Sequence, residues 1–135
     1  HDLAQKLMRV DKECHLYDDW HDQLLCAKNM HEGDMAIAFS YSGLTQEVLD
    51  CTVEAQRHNC PVVAVTKVDG SSKLAAMADA VLGVAASEPL VRSGAMASRM
   101  AQLMVVDALY AAYVASDYER ATHVIKQNYI EKQER

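Results

Sequence analysis

Along the chain, short runs of consecutive apolar residues alternate with longer stretches whose apolar positions recur at helical spacing. Residues 2–9 set Leu3, Leu7 and Met8 on one helical face. Residues 13–17 read as a short strand. Asp18 or Asp19 stands where it can cap a helix over residues 20–30, and acids at that end complement the helix dipole. Glu32-Gly33-Asp34 forms a turn. Residues 35–40 (Met-Ala-Ile-Ala-Phe-Ser) are an unbroken apolar run closing on a hydroxyl. A run without polar alternation is covered on both faces, as strands of a parallel sheet are. A helix follows over residues 46–59. Residues 61–66 (Pro-Val-Val-Ala-Val-Thr) then repeat the formula of an apolar strand ending in a hydroxyl. Asp69-Gly70 turns the chain, Ser71 or Ser72 caps a short helix through Ala78, and residues 80–85 give a third buried strand. A loop through Glu88 and Pro89 leads to the longest helix, residues 94–115. Asp117 or Tyr118 opens a final helix to about residue 133.

Buried strands alternating with helices predict an α/β domain with a doubly wound parallel sheet, flavodoxin-like and three-layered. The chain's 135 residues make one such domain and are too few for two. The first element is a helix with no strand before it. In the 2-1-3-4-5 order the first strand is central, and without it two neighbours would carry unpaired backbone. The expectation is therefore an N-terminally truncated domain, spanning 1–135, whose first strand lies upstream. No internal repeat or low-complexity tract interrupts it.

Composition narrows the partners. Half of the residues are hydrophobic and 24% charged, which excludes intrinsic disorder, and only 6% are aromatic, so the core is aliphatic. A net charge of -6 repels phosphate backbones, so the chain by itself is not a nucleic-acid binder. No apolar run spans a bilayer and residues 1–20 carry no signal-peptide pattern. Cys14, Cys26, Cys51 and Cys60 form no C-x-x-C pair. They read as reduced, mostly buried thiols in a cytoplasmic protein. The six histidines show no metal-ligand spacing; the acids around His15 and His21 suit a helix start, and no metal or other cofactor is expected.

The segment richest in chemistry is Ser40-Tyr41-Ser42-Gly43-Leu44-Thr45, which joins the carboxyl end of a buried strand to a helix N-terminus. Ligands of open α/β sheets bind at that edge, and a helix N-terminus offers unpaired N–H groups to a phosphate. Gly43 allows close backbone approach, while Ser40, Ser42 and Thr45 add hydroxyl donors. With Ser42 as N-cap, Thr45 becomes the third helical residue and leans back toward the same pocket. The turn has no Lys or Arg, so it is a cradle of dipoles and neither a P-loop nor a dinucleotide fingerprint. Capping alone would account for one hydroxyl, not three. Thr66 ends the next strand at the same edge and is placed to face the same crevice. Lys67, Asp69 and Ser71 are loop, turn and cap residues.

A second cluster runs from Glu88 to Arg99, around the start of the long helix. Glu88 is placed as a base or as an acceptor of sugar hydroxyls, and Arg92 as a bidentate phosphate partner. Ser93 serves as a cap, with Arg99 in a surface ion pair. Asp107 reads as a satisfied buried carboxylate or an interface residue. The helix is rich in small residues (Ala97, Ala101, Ala108, Ala111, Ala112, Ala115) interleaved with Met96, Met100, Leu103 and Met104. That composition suits packing by the sheet on one side and by a second subunit on the other, or an ordinary buried helix.

These residues resemble a known family. The run from Gly33-Asp34 through Ser40-Tyr-Ser-Gly-Leu-Thr45-Gln-Glu-Val is similar to the signature of SIS (sugar isomerase) domains. Residues 61–66 and 73–79 resemble that family's next strand and helix. The stretch from Arg92-Ser93 through Ser98-Arg99 to Asp107-Ala-Leu109-Tyr110 is similar to the effector domain of RpiR/MurR-type transcriptional regulators. The resemblance covers nearly the whole chain. It implies a phosphosugar-binding module, dimeric or tetrameric, joined to an N-terminal helix-turn-helix domain that this sequence does not contain. It places the phosphate on Ser40, Ser42 and Thr45, with Gly43, Thr66 and Glu88 also at the ligand and Tyr41, Arg92 and Ser93 as further candidates. DNA would then be met only through the missing domain. In the family, the first strand and its loop add hydroxyls to the ligand; both are missing from this sequence.

Two functions of different kinds follow. The first is a sensor in which a sugar phosphate, such as an amino-sugar phosphate, controls an attached DNA-binding domain. The second is an aldose–ketose phosphosugar isomerase with Glu88 as the proton-transferring base. The fold is compatible with both.

Overall fold

In the computed structural model, residues 1–85 and 96–130 are described. Two compact units emerge. The larger spans Tyr17–Val105; the smaller combines His1–Leu16 with the chain from Val106 onward.

The larger unit contains the sheet. Strands β1 (Ala36–Phe39), β2 (Val62–Lys67) and β3 (Ala80–Val84) are parallel and lie in the order β1-β2-β3. Parallel neighbours need crossovers, supplied by helix α3 (Gln46–Arg57) between β1 and β2 and α4 (Lys73–Met77) between β2 and β3. Because β2 is paired on both edges, Val62, Ala64, Val65 and Thr66 have no exposed surface. Strand positions alternate in direction, so Ala38 and Ala64 share a face and meet Leu49 of α3 and Leu74 of α4 in one core cluster. Ala55, Cys60 and Val62 form a second, with Met30 and Ala36 against it. Alanines on the strands let the helices sit close, which is why a core so poor in aromatic rings packs.

Local signals explain where these helices start and stop. Asp19 caps α2 (Trp20–Lys28) by accepting from the His21 N–H at 2.8 Å, and Ser72 caps α4 by accepting from the Ala75 N–H at 3.0 Å. Helix α3 ends two residues before the pattern suggests. Asn59 takes a left-handed conformation (φ 56°), its N–H donating to the Gln56 carbonyl and the Cys60 N–H to the Ala55 carbonyl. This paired C-terminal closure buries Cys60 against Ala55.

In the smaller unit, helix α1 (Asp2–Met8) buries Leu3. The nearby Val10 is also buried. Helix α5 (Met96–Ser116) contributes its residues from Val106 on, and α6 (Tyr118–Gln127) begins at Asp117, which accepts from the Arg120 N–H. Lys6 pairs with Asp2 one turn earlier and with Asp107. Asp107 is therefore an exposed, paired carboxylate rather than a buried one. Asn128 reaches back to the Arg9 carbonyl at 3.4 Å.

The strand expected at residues 13–17 is absent: these residues are exposed and belong to no sheet. Pairing, not propensity, makes a strand, and no described strand pairs with them. The outer edge of β1 is likewise unpaired among the described residues. Helix α6 ends at Gln127, short of the expected residue 133.

Candidate functional site

Strand β1 delivers the chain to Ser40, whose N–H donates to the Val65 carbonyl and so continues the sheet by one rung. Four residues then fold back on themselves. The Gly43 N–H donates to both the Ser40 carbonyl (3.1 Å) and Ser40 Oγ (3.2 Å), closing a tight turn. Gly43 has φ +66°, a region that costs any residue with a Cβ. It is also packed tightly: a Cβ built there would lie 1.8 Å from Ser72 Oγ and 2.9 Å from Thr66 Oγ1. The glycine is thus needed twice, for conformation and for space.

The hydroxyls divide into two layers. Ser40 and Thr66 lie below. Ser40 is buried, and its Oγ shares a hydrogen bond with Thr45 Oγ1 at 2.9 Å. Thr66 has no exposed surface; its hydroxyl donates to the Tyr41 carbonyl at 3.3 Å and shares a 3.0 Å hydrogen bond with Ser72 Oγ. Thr66 therefore supports the turn from beneath instead of facing a crevice. Ser42 and Thr45 lie above, half-buried and exposed respectively, with Ser42 Oγ accepting from the Leu44 N–H. Tyr41 is half-buried.

The helix start also differs from expectation. Thr45, not Ser42, is the N-cap residue, and its side chain turns to Ser40 instead of capping. The Thr45 carbonyl receives the Val48 and Leu49 N–H groups, which leaves the Gln46 and Glu47 amides without a partner among the described residues. Those amides carry the positive end of the α3 dipole at the same edge as Ser42 and Thr45. The cation nearest in sequence at the neighbouring strand end is committed elsewhere: Lys67 Nζ lies 2.7 Å from Asp69. Lys67, together with the Ser71 hydroxyl and N–H, holds the Asp69 carboxyl well below the usual carboxylate range.

Glu88, Arg92 and Ser93 lie outside the described residues. Arg99 is exposed on α5. Ser72 is the residue that sequence reasoning placed only as a cap; its second partner, Thr66, six positions earlier, becomes apparent only once β2 and α4 are folded together. Burial pushes the thiols of Cys26, Cys51 and Cys60 up, so they stay protonated at neutral pH, while Cys14 is exposed. An open concavity of about 370 Å³ lies at the opposite edge of the sheet, lined by Gln56, Asn59, Cys60, Pro61 and Asp79. Its polar groups are occupied structurally: Asp79 accepts from the Val62 N–H, and the Gln56 amide donates to the Met77 carbonyl. Among the described residues no group of three His, Cys, Asp or Glu side chains is placed to hold a metal, and no helix is long and apolar enough to cross a membrane.

The family model of the SIS domain matches residues 1–112. An uncharacterised HTH-type transcriptional regulator of Caldanaerobacter subterraneus is 39% identical over 118 residues, which is 87% of this chain and 42% of that protein. A second, YbbH of Bacillus subtilis, is 34% identical over 125 residues, 92% of this chain and 44% of its own length. The chain thus spans less than half the length of these relatives. Among solved structures, the Vibrio vulnificus NanR protein complexed with ManNAc-6P superposes with a TM-score of 0.84 at 29% identity, covering 93% of this chain and 47% of NanR.

Proposed function

The chain belongs to the SIS domain family, and on that premise we propose that it is the phosphosugar-sensing effector domain of a transcriptional regulator. The observation that carries this reading is the turn itself. A glycine locked at φ +66°, two accessible hydroxyls and two unpartnered helix amides converge at the carboxyl edge of a parallel sheet. An ester dianion suits such a nest of dipoles. The similarity to NanR, a protein complexed with ManNAc-6P, supports an amino-sugar phosphate as the ligand class. Ser42, Gly43 and Thr45 contact the phosphate on this reading, with Tyr41 beside them and Ser40 and Thr66 as the supporting layer. Glu88, Arg92 and Ser93 are the further ligand residues on this reading. The domain occupies residues 1–135 and pairs β1 with an upstream strand. It works in the cytoplasm as a homodimer or tetramer and meets DNA only through a helix-turn-helix domain of the parent protein. The relatives' naming as HTH-type regulators supports that last step and favours a sensor over an enzyme.

Thermal unfolding with ManNAc-6P, glucosamine 6-phosphate and their unphosphorylated sugars tests the reading. A ligand at a hundredfold excess over its Kd adds about 2.7 kcal/mol to the folded state. Stabilisation by a phosphorylated sugar, absent with the free sugar and without turnover, is the expected result. Failure of every sugar phosphate to stabilise the chain refutes it. Turnover abolished by Glu88→Gln would establish an isomerase instead.

A further inference from the structure

We infer that Ser72, outside the phosphate turn, is a positioning residue that sets which way the turn's amides point. This inference rests on the phosphate-binding reading of the turn. Two carbonyls of the turn are anchored to the segment between β2 and α4. The Tyr41 carbonyl accepts from the Lys67 N–H (3.0 Å) and from Thr66 Oγ1 (3.3 Å), and the Gly43 carbonyl accepts from the Leu74 N–H (3.0 Å). In a trans peptide the C=O and the next N–H point in opposite directions. Anchoring those carbonyls inward therefore turns the Ser42 N–H outward, toward the edge where an anion would sit, and sets the Leu44 N–H against the Ser42 hydroxyl, to which it donates at 3.3 Å.

Ser72 organises these anchors. It is buried, it shares the 3.0 Å hydrogen bond that orients the Thr66 hydroxyl toward Tyr41, and its cap holds the first turn of α4, from which Leu74 donates. Its side chain also fills the space directly behind Gly43. Removing the side chain frees both Thr66 and the glycine, and the amides lose their fixed direction. The hydroxyl itself reaches no ligand.

The test uses Ser72→Gly, because glycine retains most of the capping preference and costs only a few tenths of a kcal/mol at that position. The probe is inorganic phosphate, titrated into the full chain while backbone amide resonances are followed by NMR. Ser72→Gly is expected to bind phosphate about tenfold more weakly, with a melting temperature lowered by about 4–7 °C by loss of the Thr66 hydrogen bond. The Ser42 and Leu44 amide resonances should also be displaced before any phosphate is added. Thr66→Val, which removes only the linking hydroxyl, should displace the same two resonances. The double variant Gly43→Ala/Ser72→Gly should bind better than Gly43→Ala alone, since the two closest clashes of the added methyl, both with Ser72, are then removed. Wild-type affinity together with wild-type resonances in Ser72→Gly overturns the inference. If the wild-type chain binds no phosphate, the functional reading fails by itself, and the ligand-free resonances still decide whether Ser72 positions the turn.

Discussion

Gly43→Ala and Gly70→Ala form a pair that separates two costs at one kind of backbone. Both glycines have positive φ, +66° and +79°, so alanine at either pays a similar conformational penalty, about 1 kcal/mol. Their surroundings differ. A Cβ at Gly70 meets nothing within 4 Å, whereas one at Gly43 falls 1.8 Å from Ser72 Oγ and 2.6 Å from Ser72 Cβ. Ser72 must then move, and it loses two interactions. Its cap on the Ala75 N–H is worth about 1 kcal/mol. The hydrogen bond shared with the buried Thr66 hydroxyl is worth about another 1 kcal/mol. Gly43→Ala should therefore destabilise the fold by about 3 kcal/mol against about 1 kcal/mol for Gly70→Ala. For a chain of this size the difference of about 2 kcal/mol corresponds to roughly 6–10 °C in melting temperature. Urea and thermal denaturation of the two variants measure it. A gap below about 0.5 kcal/mol would refute the tight packing of Gly43 on Ser72, and with it the account of how the turn is held.

Three other outcomes follow from the same geometry. Ser42→Ala and Thr45→Ala should each weaken sugar-phosphate binding by about ten- to a hundredfold, the worth of one hydrogen bond to a charged group, with melting temperatures near wild type. Calorimetric titration checks this, and unchanged affinity in both removes these hydroxyls from the site. Asn59→Gly should stabilise the chain by a few tenths of a kcal/mol, because Asn59 already holds φ 56° to close α3, whereas Asn59→Val should cost about 1–2 kcal/mol in urea denaturation. Asp69 has a folded-state pKa lowered by Lys67 and Ser71, so its contribution is present above about pH 4 and fades as the pH falls through the depressed value. Asp69→Asn should flatten the stability profile in that acid range and leave its slope near pH 7 unchanged.

Most of the scaffold was legible because its signals are local. Unbroken apolar runs marked β1, β2 and β3, and acids or serines in cap positions marked α2, α4 and α6. The failures share a cause, since each depended on a partner remote in sequence. Residues 13–17 have the pattern of a strand but no neighbour to bond. Thr66 was placed at the correct edge, yet its side chain is claimed by Tyr41 and Ser72 and buried. Thr45 was placed one turn too deep in α3 because Ser42, an equally good capping residue, precedes it. The choice between them is made by the hydrogen bond that pulls the Thr45 side chain back to Ser40. The hydroxyls of such a turn are legible in the sequence, but their division into layers is not.

That layering bears on what the turn can do. From residue 40 through 45 it carries no cation, and Lys67 is held by Asp69. A dianion bound to the turn would be held there by directional hydrogen bonds, each worth about 1.5–3 kcal/mol to a charged group, with Arg92 as the proposed source of positive charge. Three or four such bonds, offset by the entropy of association, correspond to affinities in the micromolar to millimolar range. A metabolite sensor requires affinity in that range, because its ligand must leave when concentration falls. Signalling requires one property more: the ligand must prefer one arrangement of the domain over another, since equal affinity for both shifts nothing. The lower layer supplies a place for that preference. The turn's carbonyls are tied to the end of β2 and the start of α4, so on the proposed reading any adjustment of Ser42 and Gly43 around a phosphate would reach Thr66, Ser72 and the first turn of α4. A binding site built on free loops would absorb the same adjustment locally.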